Sequence, residues 1–163
     1  MGRRRTSQDG IQTRQNKGVA FPRVPVLLVG EDSLDLSRYA VILRRIGHQV
    51  HPCGSYEEGI RLLNSGAFGL LVVSQGTPNF EGRCLLERAV QIDRTLPVLV
   101  VARSLHMPCY LEAMQLGAVD YLAEPLSMKE LGQTVERYMR PGPLGKAPAL
   151  RTGIKRGEGP VQA

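Results

Sequence analysis

Tryptophan is absent from the chain, and phenylalanine and tyrosine supply only three and five residues. So thin an aromatic supply leaves no row of rings for bases to stack on, which argues against a binder of single-stranded nucleic acid. Cysteine is scarce as well. Cys53, Cys84 and Cys109 stand far apart, with no C-x-x-C pair and no histidine at ligand spacing. That argues against a disulfide framework or a zinc site and suits reduced thiols in a cytoplasmic protein. No stretch approaches the roughly 20 apolar residues that span a bilayer, so no membrane association is expected. The opening "MGRRRTSQDGIQTRQNK" has charge but no apolar run behind it, unlike a secretory signal. Its Met-Gly start with Thr6 touches the myristoylation pattern only in elements that are short and common.

What is present suits one globular domain. The chain has 163 residues, 42% of them hydrophobic, enough for a real core and too few for a second full domain. Its formal charge of +6 is unevenly placed: residues 1–23 carry six Arg or Lys against one acid, and residues 140–163 carry five against one. The segment between holds ten basic and thirteen acidic residues, so a mildly acidic globule is expected between two basic tails. Residues 1–22 lack an apolar period and residues 141–163 are rich in Pro and Gly. Both tails are expected to be disordered, with a folded domain at 23–140.

Within that domain, apolar runs alternate with segments of helical period. "VPVLLVG" (24–30), "HQVHPC" (48–53), "GLLVVS" (69–74), "LPVLVVA" (96–102) and "DYLA" (120–123) read as strands. Three of them are almost wholly apolar, as strands of a parallel sheet covered on both faces are. Helical stripes run through Leu36, Ala40, Leu43 and Ile46; through Tyr56, Ile60 and Leu63; through Leu85, Ala89 and Ile92; and through Met128, Leu131, Val135 and Tyr138. Ser55 with Glu58, and Ser127 with Glu130, have capping-box spacing. Five βα units in succession predict an α/β doubly wound, three-layer sandwich of flavodoxin-like type, its parallel strands in the order 2-1-3-4-5. In such sheets ligands sit beyond the carboxyl ends of the strands. Those ends offer Gly30, Glu31 and Asp32; Ser74; Ala102 and Arg103; and Glu124 before Pro125.

From about Val24 to Met139 the chain resembles receiver domains of bacterial two-component response regulators, the CheY-like proteins. "LLVGEDS" stands where that family has an acidic pair, "RRIGHQV" supplies a glycine turn, and "SQGTPNFEG" matches the stretch that begins at the phosphoacceptor aspartate. "LPVLVVA" matches the fourth strand, and "EAMQLGAVDYLAEPLSMKEL" follows the family pattern EA, GA, DYL, a lysine before proline, and EL. The resemblance implies the fold more than the chemistry. Gly30 and Glu31 replace the acidic pair, Ser74 the phosphoacceptor, Ala102 the hydroxyl-bearing switch residue and Glu124 the lysine, while Tyr121 keeps the aromatic type. An aspartyl phosphate needs a carboxylate nucleophile, a metal held by carboxylate oxygens and a cation against the phosphoryl group. A serine without a base is a poor nucleophile, and its phosphate would be a stable ester.

The expectation is therefore a non-enzymatic, degenerate pseudo-receiver without cofactor or magnesium. Glu31 and Asp32 are weak metal candidates at most. Glu31 is expected to pair with Arg103, Asp32 to face solvent, Glu124 to help begin the last helix, and Ser74 to bond nearby backbone. The resemblance implies a signalling partner such as a histidine kinase or another regulator, with Met114, Tyr121 and Met139 (Leu116 nearby) as a possible interaction face and a homodimer possible. His48, His51 and His106 read as surface residues. The basic tails raise a second reading, a nucleic-acid-associated regulator, although no helix-turn-helix accompanies them. The strand ends offer no base and nucleophile pair and no Gly-rich phosphate loop, which counts against an enzyme of this architecture.

Overall fold

The computed structural model describes residues 24–140, so both expected tails lie outside the described residues. Five βα units follow in order: β1 (Val26–Val29), α1 (Ser33–Arg45), β2 (Val50–Cys53), α2 (Tyr56–Ser65), β3 (Leu70–Ser74), α3 (Arg83–Ile92), β4 (Val98–Ala102), α4 (Met107–Leu116), β5 (Asp120–Ala123) and α5 (Met128–Met139). The strands form one sheet in the order β2-β1-β3-β4-β5, all neighbours parallel. This is the expected flavodoxin-like architecture.

The apolar strands split their side chains between two cores, because successive residues point to opposite faces. Leu27, Val29, Leu71, Val73, Val98 and Val100 face α2, α3 and α4, where they meet Tyr56, Leu63, Leu85, Leu86, Ala89, Cys109 and Ala113. Val26, Leu28, Leu70, Val72, Leu99 and Val101 face α1 and α5, where they meet Tyr39, Ala40, Leu43, Leu131 and Val135. Central strands β1, β3 and β4 are buried on both faces, while β2 is an edge whose His51 and exposed Pro52 cost no buried ladder bond.

Strand boundaries are tighter than the sequence suggested. Pro25 and Pro97 sit just outside the ladders and contribute only carbonyls, to Gly69 N and Leu71 N. Two stripe positions also fail: Ile92 and Met128 are exposed, being the last residue of α3 and the first of α5, where a helix overhangs the sheet. Leu86, absent from the expected stripe, is fully buried instead. Ser55 caps α2 through Glu58 N at 3.3 Å, and Ser127 with Glu130 completes a reciprocal box on α5. Gly47, at φ 95°, makes the expected turn between α1 and β2. Among the described residues no helix is long and apolar enough to cross a membrane.

Candidate functional site

The carboxyl ends of β1, β3 and β4 converge on a cavity of about 220 Å³ lined chiefly by Glu31, Asp32, Asp35, Tyr39, Tyr56, Ser74, Thr77, Glu81, Ala102 and Arg103. Ser74 ends β3 half-buried, its Oγ accepting from Gly76 N at 3.2 Å and its carbonyl from the Tyr56 hydroxyl at 3.1 Å. No base lies on the Ser74 hydroxyl among the described hydrogen bonds. Burial pushes the Tyr56 hydroxyl up to about 12, so it is a donor across the physiological range. Beneath the same carbonyl lies Gly82, where a Cβ would collide with Ser74 O; only glycine lets the β3–α3 loop close there. The loop is stapled by its own side chains. Thr77 donates through N and Oγ1 to Glu81, at 2.7 and 2.5 Å, and the hydroxyl bond foremost lowers the Glu81 carboxyl below its usual range.

The charged residues of the mouth pair differently from expectation. Asp32 does not simply face solvent: it caps α1, one carboxylate oxygen accepting from Leu34 N at 2.9 Å and Asp35 N at 3.1 Å, the other meeting Arg103. Its pKa is lowered foremost by the Asp35 amide, then by Leu34 N and Arg103. Arg103 turns to Asp32 and, through Nε at 2.9 Å, to Asp35, leaving aside Glu31. Glu124 takes no part in starting α5, whose cap begins three residues later at Ser127. It reaches back to α1, where it accepts from Arg38 and from the Tyr39 hydroxyl at 2.5 Å. These corrections have one physical origin. Helix α1 presents Asp32, Asp35, Arg38 and Tyr39 at successive three- and four-residue steps along the mouth, close enough to satisfy both Arg103 and Glu124.

This donor set does not fit a divalent cation. Both oxygens of Asp32 are engaged, Gly30 and Ser74 bring no carboxylate, and among the described residues no three His, Cys, Asp or Glu side chains are grouped to hold a metal ion. Ala102 ends β4 buried at 4% exposure and brings no hydroxyl.

Tyr121 is turned inward at 7% exposure and meets Tyr110 edge to face, ring centroids 5.6 Å apart. Its hydroxyl donates to Gln75 Oε1, and Gln75 Nε2 donates to the Thr77 carbonyl at 3.2 Å. Sequence reasoning missed Gln75, a buried polar side chain next to Ser74; the only signal was a glutamine directly after an apolar run. Of the expected interaction face, Met114 and Tyr121 pack in the layer of α4, and Met139 packs in the layer of α1 and α5. Nor are all three histidines surface residues: His48 and His106 are half-buried, and His106 Nδ1 lies 3.1 Å from the buried Cys109 thiol at the start of α4.

A parallel 2-1-3-4-5 sheet with its polar side chains gathered at the carboxyl ends of β1, β3, β4 and β5 defines a CheY-like module of two-component signalling. Residues 26–136 match the family model of the response regulator receiver domain, and the chain belongs to that family. It is 31% identical over 108 residues to the two-component response regulator ARR11 of Arabidopsis thaliana, a match covering 65% of this chain and 20% of that protein. It is 28% identical over 115 residues to the transcriptional regulatory protein PhoP of Escherichia coli K12, covering 71% of this chain and 52% of that one. The chain thus spans from a fifth to about half the length of these relatives. In fold it is similar to a receiver domain protein from Clostridium thermocellum, with a TM-score of 0.65 at 20% identity, covering 71% of this chain and 94% of the other.

Proposed function

We propose that this receiver domain works without aspartyl phosphorylation and without magnesium, as a non-enzymatic protein-interaction module in a two-component pathway, alone or as a homodimer. The observation that carries this reading is the closed set of ion pairs at the mouth. Glu124, at the lysine position, is held by Arg38 and Tyr39, and Asp32 is held by Arg103 and the amides of α1. A phosphoryl group placed at Ser74 would meet Glu31 and Glu81 with no lysine opposite them, and the nearest cation, Arg103, already serves two carboxylates. A histidine kinase or another regulator is then a partner read by surface shape, not a phosphoryl donor.

Titration of the protein with magnesium and beryllofluoride, followed by backbone amide NMR shifts, tests this. Amides of Ser74, Ala102 and Tyr121 are expected to stay in place. Saturable shifts at those three residues would show a pocket that still takes a metal and an acyl-phosphate mimic, and would sink the proposal.

A further inference from the structure

Glu31 and Glu81 are the two carboxylates that the ion pairs of the mouth leave over. Asp32 and Asp35 share Arg103, and Glu124 has Arg38. Among the described residues Glu31 makes no ion pair and no side-chain hydrogen bond, while Glu81 accepts from Thr77 of its own loop. Both charges act on the Tyr56 hydroxyl, so the two carboxylates stand around one point of the cavity wall. Four carboxylates therefore line about 220 Å³ of space against a single guanidinium, that of Arg103, with the rings of Tyr39 and Tyr56 between them.

The rim of this acidic cavity is apolar. Leu34 is 80% exposed in the first turn of α1, and Leu105 is 58% exposed between β4 and α4. Leu34 lies between Asp32 and Asp35 in the chain, and Leu105 follows two residues after Arg103, whose guanidinium joins those two acids, so both leucines stand beside that ion-pair group. Met107 and Met128, the first residues of α4 and α5, continue the exposed apolar rim along the same end of the sheet. Exposed apolar residues scattered singly need no explanation, but several gathered around a charged cavity mark a surface that another molecule covers.

We infer that the mouth receives an arginine side chain that a partner protein presents between apolar residues, the guanidinium entering between Glu31 and Glu81 and its apolar neighbours covering Leu34 and Leu105. Charge sets the class of partner: an acidic lining repels phosphate, so neither nucleic acid nor an anionic membrane surface complements it. Arginine suits the site better than lysine, because its planar fork directs N–H bonds to carboxylates on both sides and lies flat against tyrosine rings. An arginine anchor ringed by apolar contacts that exclude water is also how a small patch concentrates binding energy. The inference rests on reading the domain as a protein-interaction module and adds what that module recognises.

Titration of the full chain with acetyl-Leu-Gly-Arg-Gly-Leu-amide, followed by backbone amide NMR shifts, tests it; in an extended peptide the two leucines and the arginine share one face. Saturable shifts are expected at Glu31, Ser74 and Glu81. The same peptide with citrulline for arginine, matched in shape but uncharged, is expected to bind at least about tenfold more weakly. Glu31→Gln is expected to weaken the arginine peptide about threefold, the scale of one partly exposed ion pair. Leu34→Ser with Leu105→Ser is expected to weaken it roughly tenfold and to leave acetyl-arginine-amide unaffected. Glu57→Gln, at an exposed acid of α2 outside the cavity lining, is expected to bind as the parent does. Circular dichroism matching the parent's shows that each variant is folded. Absence of saturable shifts, equal binding of the citrulline peptide, or an effect of Glu57→Gln as large as that of Glu31→Gln would each overturn the inference. Indifference to the leucine substitutions would overturn it too, since the cavity would then take free organic cations and not a docked protein. The peptide titration contains no magnesium or beryllofluoride, so its failure leaves the phosphorylation-independent reading standing, and beryllofluoride shifts would sink that reading without explaining arginine binding.

Discussion

Gln75 and Tyr121 form a buried polar pair in which each side chain depends on the other. Replacing Tyr121 by Phe removes the hydroxyl that donates to Gln75 Oε1, in surroundings where Gln75 is 4% exposed. An acceptor stranded in this way costs about 1–3 kcal/mol. The expected outcome for Tyr121→Phe is a lower urea midpoint with an unchanged slope, and Gln75→Met added to it should recover part of the loss; an unchanged midpoint would mean that water replaces the tyrosine. This pair also marks a limit of sequence reading. The end of an apolar run at Ser74 is visible in the residue order, but which way Gln75 turns is decided by Tyr121, 46 residues away. In the same way Glu124 stands out by its place before Pro125, while its partner Arg38 lies 86 positions earlier and leaves no local signal.

Helix α1 is the element that ties the mouth together. Its apolar stripe, Leu36, Ala40, Leu43 and Ile46, was legible because 3.6-residue periodicity survives in any packed helix. Its polar edge was not, since Asp32, Asp35, Arg38 and Tyr39 read as an ordinary solvated face until β4 and β5 bring Arg103 and Glu124 against them. Helix α4 illustrates the other difficulty. "MPCYLEAMQL" is apolar on nearly every side, so no stripe stands out, although Cys109 and Ala113 are the residues it buries. A charge swap tests the role of α1. Glu124→Lys places like charges together and should lower the melting temperature, whereas the double variant Arg38→Glu, Glu124→Lys should restore most of it. The coupling in a double-mutant thermal cycle should be about 1 kcal/mol, modest because the Arg38 side chain is half exposed. Additive effects would show that the pair contributes nothing.

At the scale of the whole molecule, four tyrosines are placed so that the fold opposes their ionisation. Burial raises the hydroxyl pKa of Tyr39, Tyr56, Tyr121 and Tyr138, that of Tyr56 to about 12. Unfolded tyrosine loses its proton near pH 10. Below that pH both states are neutral and stability is intact; above it the unfolded chain ionises first, so stability falls as pH rises from about 10 to about 12. Tyr56 alone should account for about 2 kcal/mol of that fall. Tyrosinate absorbance followed together with ellipticity should show late, cooperative ionisation coinciding with unfolding. Smooth ionisation near pH 10 with the fold intact would contradict the burial of these rings. Val24 and Met139 meet over Gly69, where a Cβ would stand 3.1 Å from Val24 Cβ and 3.2 Å from Met139 Cε, so the two ends of the described domain lie together. A fold whose two ends lie side by side can be grafted into a host protein's loop, or closed by a short linker and reopened elsewhere as a circular permutant. Either operation leaves the Ser74 mouth, at the far end of the sheet, unobstructed.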